Sequence, residues 1–378
     1  SDLDQPNAEV NSYQFHLYQE LDSVNLLSSG KLWLGEELSN LPGKSLSHTY
    51  SLSLPSGALA AAWLRVNAVA RSISTTGKIT AQLGGSTAFE INFSGVGSGH
   101  YDLFAQSVLQ EGPVALIENT NSLSLQYASG SYGSQAWVDW WELHGRAPLS
   151  MAGVKQLSFR DWQSVSAGRK VAYTITAASG VAQVWEVTNP SEPVQMKLTR
   201  NASEVRFVQD ASRLREFIAF SLEGVSVPVP LGKVLNQDLH ALAAADLLVI
   251  AADPLLAEAS RLASYHQQQG LRTHVISVAQ IYTEFASGTP DPTAIRDFVK
   301  MFYDRAGTDS ALRPRYLLLF GDASFDYRNR IRGNTNGVPA FESESSLDPL
   351  TTYTSRSEEH TSELQSHHDL VCRLLLEK

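Results

Sequence analysis

The chain has 378 residues, of which 43% are hydrophobic and 18% are charged, and its formal net charge is −10. The length predicts two or three domains, and the composition is ordinary for a globular protein with substantial cores. The acidic balance argues against nucleic acid as the main partner, because phosphate binding needs a basic surface. The sequence has no run of about 18 apolar residues, so it predicts no transmembrane helix.

Residues 1–150 are predicted to form a β-sandwich-like domain. Short runs rich in Ser, Thr, Val and Leu alternate with glycine-containing turns, and "TYSLSLP" at 49–55 alternates as a half-buried strand should. In "AWVDWWEL" (136–143), strict alternation predicts two opposite faces, one carrying Trp137, Asp139 and Trp141 and the other Val138, Trp140 and Glu142. Such aromatic residues suit a core or a sugar-binding face, and we favour the core.

Residues 151–238 are predicted to form a second β-rich domain that links the first to the rest of the chain. The runs "KVAYTITAA", "AQVWEVTNP", "VRFVQD" and "REFIAFSLEG" are typical of strands. Pro190 fixes its own φ and restricts the residue before it, so Asn189-Pro190-Ser191 predicts a turn.

Residues 239–355 carry a different pattern, that of an α/β domain. "DLLVIAA" (246–252) is continuously apolar, which is typical of a buried parallel strand. Asp253-Pro254 and Asp291-Pro292 each predict a helix start, with Asp as N-cap and Pro as the first helical residue. The order β-α-β-α-β predicts a parallel sheet with right-handed crossovers. We expect this sheet to be incomplete and to expose an apolar strand edge.

The third strand of this domain runs directly into two carboxylates, in "RYLLLFGDASFDYRNR" (315–330). Ligands of open α/β sheets bind beyond the carboxyl ends of the strands, which is where Gly321, Asp322 and Asp326 are expected. Asp322 could orient a base, bind a cation or cap the next element, or it could order the loop by accepting hydrogen bonds from loop amides. Two carboxylates are too few for a calcium cage, and we favour the loop-ordering interpretation.

Several other site classes lack their sequence patterns. No glycine-rich phosphate loop follows the first parallel strand, and no Gly-x-Ser-x-Gly elbow occurs. The histidines before residue 356 have no partner at helical metal-ligand spacing; they are His16, His48, His100, His144, His240, His266 and His274. Their spacing therefore gives no indication of a metal site, and whether the chain binds metal is left open.

The last residues, 356–378, do not continue any preceding pattern. "RSEEHTSELQS" and the later "LVCRLLL" match a translated sequencing-library adapter, so we interpret this tail as non-native. Cys372 is therefore not a site residue, although a Cys beside His360, His367 and His368 would otherwise suggest a metal site.

Several blocks together resemble the gingipain family of cysteine peptidases, and most closely its PorU-like branch, the sortases of the type IX secretion system. The most specific blocks are "LLLFGDASFDYRNR" and "IYTEFASGTPDPTAIRDFVKMFY" (281–303). Weaker similarity is carried by "VPAFESESSLDPLTTYTS" (338–355), "SGKLWLGEEL" (29–38) and "VWEVTNP" (184–190).

The resemblance implies a caspase-like peptidase domain in which residues 239–355 are the first part. A catalytic Cys and His would lie on later strands, so none of this chain's residues is expected to be catalytic, and the chain alone is expected to be inactive. Asp322 and Asp326 would be loop carboxylates beside the implied site. No cofactor is implied, and calcium binding is left open.

The implied full-length enzyme removes C-terminal targeting domains from secreted cargo and attaches the cargo to the bacterial cell surface. Its implied partners are such cargo proteins and other type IX secretion components, and its implied location is the outer membrane's extracellular face. The alternative left open by the residues is a non-catalytic β-sandwich module that binds cargo or glycan.

Overall fold

A computed structural model of the chain describes residues 5–28, 32–99, 102–117, 120–129, 131–230 and 232–339. The interpretation of 356–378 as a non-native tail, including Cys372, lies outside the described residues. The chain divides into two units, one of Ser1–Leu21 with Leu34–Pro230 and one of Asp22–Trp33 with Leu231–Lys378. In the part of the chain that the structure describes, no helix has the length and apolar character needed to cross a membrane.

The described part of the first unit is built from strands. In chain order these are β1 (Ala8–Val10), β2 (Ser12–Glu20), β3 (Glu37–Ser39), β4 (Ser47–Ser51), β5 (Ala61–Arg71), β6 (Gly77–Leu83), β7 (Ser86–Phe93), β8 (Gln106–Ala115), β9 (Ser122–Ser129), β10 (Gln135–Pro148), β11 (Gln156–Arg160), β12 (Lys170–Ile175), β13 (Gln183–Glu186), β14 (Val194–Gln195), β15 (Thr199–Asn201), β16 (Glu204–Asp210) and β17 (Glu216–Phe220).

Strands β2 to β10 form two antiparallel sheets. The first has the order β2-β10-β5-β8, with β3 also paired to β10, and the second has the order β4-β9-β6-β7. Alternate side chains of both sheets, such as Leu64 on β5, Ile79 on β6 and Leu125 on β9, are fully buried in one hydrophobic cluster. The period of two in the sequence therefore marks the face of each strand that contributes to this core.

Strict alternation along "AWVDWWEL" was wrong, because β10 carries a β-bulge. Its register against β5 shifts between Val138 and Trp140, so Val138 and Trp141 both belong to the hydrophobic cluster although strict alternation puts them on opposite faces. Trp137 and Trp141 are 3% and 4% exposed, which confirms the core interpretation for these two side chains. Trp140 is only half-buried, on the face opposite to that of Trp141.

Two further sheets follow, with orders β1-β12-β16-β15 and β11-β17-β13-β14. Strand β1 pairs with β12 in parallel, while the other described pairings in these two sheets are antiparallel. The rings of Phe159, Tyr173, Phe207 and Phe217 pack together, with Tyr173 and Phe207 stacked at 5.0 Å. The buried residues of these two sheets belong to the same hydrophobic cluster as those of the first two sheets.

The second unit contains a parallel sheet, as predicted. Its elements are β18 (Leu247–Ala251), α1 (Leu256–Gln268), β19 (Thr273–Ser277), α2 (Val278–Phe285), α3 (Pro292–Ala306) and β20 (Tyr316–Phe320). The strand order is β19-β18-β20, and both pairings are parallel. Strand β18 is central and buried along its whole length, which explains its continuously apolar sequence.

The helix starts follow the predictions only in part. Asp291 caps α3, because its Oδ1 accepts a hydrogen bond from the Thr293 amide at 2.8 Å. Asp253 does not cap α1, because it lies inside a short 3-10 helix that precedes α1 and has no side-chain cap. Among the described residues, the short 3-10 helices are Leu222–Gly224, Leu239–Ala241, Asp253–Leu255 and Ser310–Leu312. At α2, Ser277 and Gln280 form a capping box that the sequence analysis did not identify.

Candidate functional site

A cleft opens at the carboxyl ends of the three parallel strands. It has a volume of about 530 Å³, and its walls come from the segments that follow β18, β19 and β20. The lining residues are Ala252, Asp253, Pro254, Leu255, Val278, Ala279, Tyr282, Asp322, Thr335, Asn336 and Gly337. This is the position at which open parallel sheets bind ligands, because all the strands present their connecting loops there.

Two glycines let the loop after β20 approach the end of β18. A Cβ on Gly321 would lie 2.8 Å from Val338 Cγ2 and 3.1 Å from the Cβ of Ala252. A Cβ on Gly337 would lie 2.9 Å from the same Ala252 Cβ. The glycines are thus needed for close packing at the base of the cleft.

Asp322 joins the two ends of this loop. Its Oδ2 accepts a hydrogen bond from the Thr335 hydroxyl at 2.8 Å, and its Oδ1 accepts one from the Ala323 amide at 3.0 Å. Its carbonyl oxygen accepts from the amides of Gly337 and Val338 at 2.8 and 3.0 Å. Asp322 therefore lines the cleft while it holds the segment at 335–338 beside the end of β20.

Asp326 lies inside the loop and does not line the cleft. It is 0% exposed, and its Oδ2 accepts from the Ile331 amide at 2.6 Å. Its carbonyl oxygen accepts from Asn334 Nδ2 at 2.7 Å and from the Asn329 amide at 3.1 Å. These bonds close the turn at 326–334, so the carboxylate contributes to loop order and not to the cleft surface.

Asp22 and Trp33, from early in the chain, belong to the same unit as this loop and contact it. Asp22 forms an ion pair with Arg330. The Arg330 guanidinium lies over the Trp33 ring, 4.8 Å from its centroid, and Trp33 in turn stacks on Phe325 at 5.8 Å. The ion pair and ring contacts hold this part of the loop in place, and no sequence pattern indicates them.

Tyr282 supplies the one lining side chain with a strongly shifted pKa among the described residues. Burial, and then the negative charge of Asp291, raise the pKa of Tyr282 to about 12. The phenol is therefore protonated at every ordinary pH. It can donate a hydrogen bond to a carbonyl or other acceptor placed in the cleft.

The described residues contain two groups of three potential metal ligands, and neither includes Asp322 or Asp326. One is His16, Glu142 and His144, and the other is Asp238, His240 and Glu284. Burial, and then the neighbouring His144, lower the pKa of His16. Burial raises the pKa of Glu142, but hydrogen bonds from His144 and Arg65 outweigh it and bring that pKa below its ordinary value.

The histidine spacing considered in the sequence is that of helices, and it does not detect groups formed on strands. Glu142 and His144 are two residues apart on β10, which places them on one face of a sheet. His16 reaches them only through the pairing of β2 with β10. The spacing of two was visible in "WELH", but the cross-strand partner was not.

Comparison with known proteins links the second unit to a peptidase family. Residues 240–366 match the family model Peptidase family C25, which confirms over this stretch the resemblance to the gingipain peptidases. No curated protein sequence matched the chain.

A solved structure matches most of the chain. The crystal structure of dimeric latent PorU from Porphyromonas gingivalis superposes with a TM-score of 0.77 and 24% identity, covering 89% of this chain and 33% of that chain. The two proteins therefore share a fold, and this chain spans about a third of the length of that PorU chain.

Two carbohydrate-binding modules match only weakly. They are CBM36 in complex with calcium and xylotriose, with a TM-score of 0.20, 17% identity and coverage of 33% of this chain and 98% of that chain, and the C-terminal CBM6 of LamC from Zobellia galactanivorans, with a TM-score of 0.19, 14% identity and coverage of 35% and 98%. TM-scores this low carry no argument about this chain.

Proposed function

We propose that this chain is part of a gingipain-type cysteine endopeptidase that acts as a sortase of the type IX secretion system. The observation that carries the proposal is the cleft at the carboxyl ends of three parallel strands, inside the stretch that matches Peptidase family C25. The activity would belong to a longer protein, since this chain corresponds to a third of the PorU chain.

The proposed chemistry proceeds through a covalent acyl-enzyme. A cysteine thiolate attacks the carbonyl carbon of the cargo's scissile peptide bond, and a histidine gives a proton to the departing amine. The acyl-enzyme is then resolved by water, which releases the cargo, or by an amine of a surface anchor, which attaches it. We place both catalytic residues outside the segments of this chain that resemble the family, so we expect the chain alone to be inactive.

The residues of this chain would shape and support the site. Gly321, Gly337 and Asp322 fix the wall that follows β20, and Asp326 orders the loop behind it. The protonated phenol of Tyr282 would donate a hydrogen bond to an acceptor of the bound peptide. Precise placement of such groups matters, because a peptide must be held in register with the attacking atom before reaction.

The proposed partners follow from the same function. They are secreted cargo proteins with C-terminal targeting domains and other components of the type IX system, at the extracellular face of the bacterial outer membrane. We propose no role for nucleic acid, because the net charge of −10 disfavours phosphate binding.

The test uses the full-length protein that contains this chain, together with a purified cargo carrying its targeting domain. We expect the full-length protein to release the targeting domain and a thiol-alkylating reagent to abolish release. We expect this chain alone to release none, and Tyr282→Phe in the full-length protein to slow release without a change in melting temperature. Release that survives alkylation would contradict a cysteine peptidase.

A second candidate function is a non-catalytic module that binds cargo or glycan. It is favoured by the outer face of the β2-β10-β5-β8 sheet, where Tyr18, Trp63 and Leu109 are 48%, 42% and 44% exposed. Sugar rings stack on exposed aromatic faces of this kind. Binding of cell-surface glycan or of cargo would be followed by tryptophan fluorescence, comparing Trp63→Ala with Trp162→Ala, whose ring is exposed elsewhere. Equal binding by both variants would contradict this function.

A further inference from the structure

The outer face of the first sheet brings two imidazoles and a carboxylate together. His16 on β2 lies directly opposite His144 on β10, and their rings stack at 4.5 Å with an interplanar angle of 5°. Glu142 precedes His144 by two residues and therefore points to the same face. Two residues at this spacing on one strand, with a third directly across on its neighbour, form a compact triangle of side chains.

The potential ligand atoms of this triangle are close to one another. His144 Nε2 is 3.1 Å from Glu142 Oε2, and His16 Nε2 is 3.9 Å from Glu142 Oε1. All three ligand atoms lie within 4.8 Å of one another. A divalent ion with ligand distances of about 2.0–2.2 Å can bridge atoms at this separation after small rotations of the rings.

The carboxylate is held in place by groups around it. Arg65 Nη1 donates to Glu142 Oε2 at 2.8 Å, while Arg65 Nε donates to Glu111 Oε2 at 2.7 Å. The arginine charge is thus shared between two carboxylates, and Oε1 of Glu142 faces His16. Such outer contacts orient a ligand and are typical of metal sites.

The other arginine near the triangle is also paired. Arg160 lies close enough to His16 to affect its charge balance, and its Nη1 donates to Glu216 Oε1 at 2.7 Å. Since both arginines have carboxylate partners, their positive charge does not by itself prevent a cation from binding.

The second group of potential ligands differs, because its carboxylate is already saturated. Glu284 Oε1 accepts from Gln237 Nε2 and the Leu239 amide, and Oε2 accepts from the same amide and from His240. Asp238 accepts from the Ala241 amide as a helix cap. A metal ion there would have to replace these hydrogen bonds. We therefore interpret this group as structural and use it as the control.

We propose that His16, Glu142 and His144 form a binding site for a zinc ion, or for a divalent transition metal of similar ligand preference. Two imidazoles and one carboxylate are a ligand set that zinc accepts, and a fourth position would be open to solvent. The side chains are 34%, 19% and 25% exposed, so an ion can reach them from the surface. The proposal concerns the first unit and does not depend on the peptidase activity.

The test uses the whole chain with His360, His367, His368 and Cys372 replaced, so that these residues cannot supply ligands. Zn²⁺ binding is measured by titration calorimetry, and Co²⁺ binding by its visible absorption. We expect one ion per chain and a loss of affinity of at least about 10–100-fold in His16→Ala and His144→Ala, the range seen for groups that merely support ligands. His240→Ala should bind as the parent does.

The folding of each variant is checked by circular dichroism. Glu142→Gln keeps the shape of the side chain, so a loss of affinity in that variant with an unchanged spectrum would support the site independently. No saturable binding by the parent, or equal binding by the parent and His16→Ala, would overturn the proposal.

Discussion

The two units of this protein present chemical groups in different ways. In the second unit, the strands β18, β19 and β20 are parallel, so the segments after them meet at one edge and enclose a cleft. In the first unit, antiparallel strands place His16 and His144 side by side on one face of a sheet. A parallel sheet collects residues that follow strands, whereas an antiparallel sheet collects residues that its register sets opposite each other.

The largest expected effect on stability comes from removing a core side chain from one of the two units. Phe298 is fully buried in the second unit and meets Phe285 and Phe302 edge-on at 5.6 and 5.3 Å. We expect Phe298→Ala to destabilise that unit by about 3–5 kcal/mol, because it leaves a cavity. Scanning calorimetry of the whole chain would show the corresponding transition at a lower temperature.

The matched variant is Leu143→Ala, in the core of the first unit, where Leu143 is 0% exposed. It should cost about 2–5 kcal/mol and lower the other transition instead. If both variants shifted a single common transition equally, the two units would unfold together and the comparison between them would lose its energetic basis.

A smaller effect on stability, about 2 kcal/mol, is expected from Asp246. This residue lies at the end of the parallel sheet that is opposite the cleft. Hydrogen bonds and charge from Arg272 hold the pKa of Asp246 at about 2, below its ordinary value of 3.8, although burial opposes this. At neutral pH the shift corresponds to about 2 kcal/mol of stability for the second unit. The Arg272 side chain that causes the shift is 43% exposed, so solvent screening makes this energy an upper value.

The sign of the pH dependence follows from the lowered pKa. The stabilisation is complete above the unfolded-state value near 3.8 and is lost as the pH falls toward 2. Urea unfolding of the parent and of Asp246→Asn should therefore differ most at neutral pH and converge in acid. A difference that stayed constant from pH 7 to pH 3 would show that the charge of Asp246 is not the cause.

The smallest effect, about 1 kcal/mol, is expected at the cap of α3. Asp291→Ala removes the hydrogen bond to the Thr293 amide and should cost about 1 kcal/mol. The same change removes the charge that helps to raise the pKa of Tyr282, so that pKa should fall while burial still keeps it above 10. Ultraviolet titration of tyrosine ionisation measures the second effect.

The control for that variant is Lys300→Ala, on the exposed side of the same helix. Lys300 pairs with Asp304 one turn later, and such surface pairs contribute about 0.5 kcal/mol or less. If it destabilised the protein as much as Asp291→Ala, the role of Asp291 as a specific cap would be contradicted.

How much the sequence revealed depended on the range of the interactions. The apolar run at 246–252 and the cap at Asp291 are local, and the structure confirms a buried parallel strand and a capped helix at these positions. The loop at Asp322 was also placed after its strand, because chain order alone determines that position.

The features that sequence reasoning missed depend on residues far apart in the chain. The bulge in β10 breaks the alternation between Val138 and Trp141 through its pairing with β5, and the sequence of β10 alone does not show that pairing. The pairing of His16 with His144 depends on the register of β2 and β10. The helix at Asp253 was misjudged locally, since a 3-10 turn occupies the position where a cap was expected.

The contact between Asp22 and Arg330 has a consequence for how the protein is made. Its two residues are 308 positions apart, so one is synthesised long before the other. At about 5–20 residues per second, Trp33 and its neighbours leave the ribosome roughly 15–60 seconds before Phe325 and Arg330 exist. The loop beside the cleft can therefore reach its final packing only after Phe325 and Arg330 have been synthesised and contact Asp22 and Trp33, which were made much earlier.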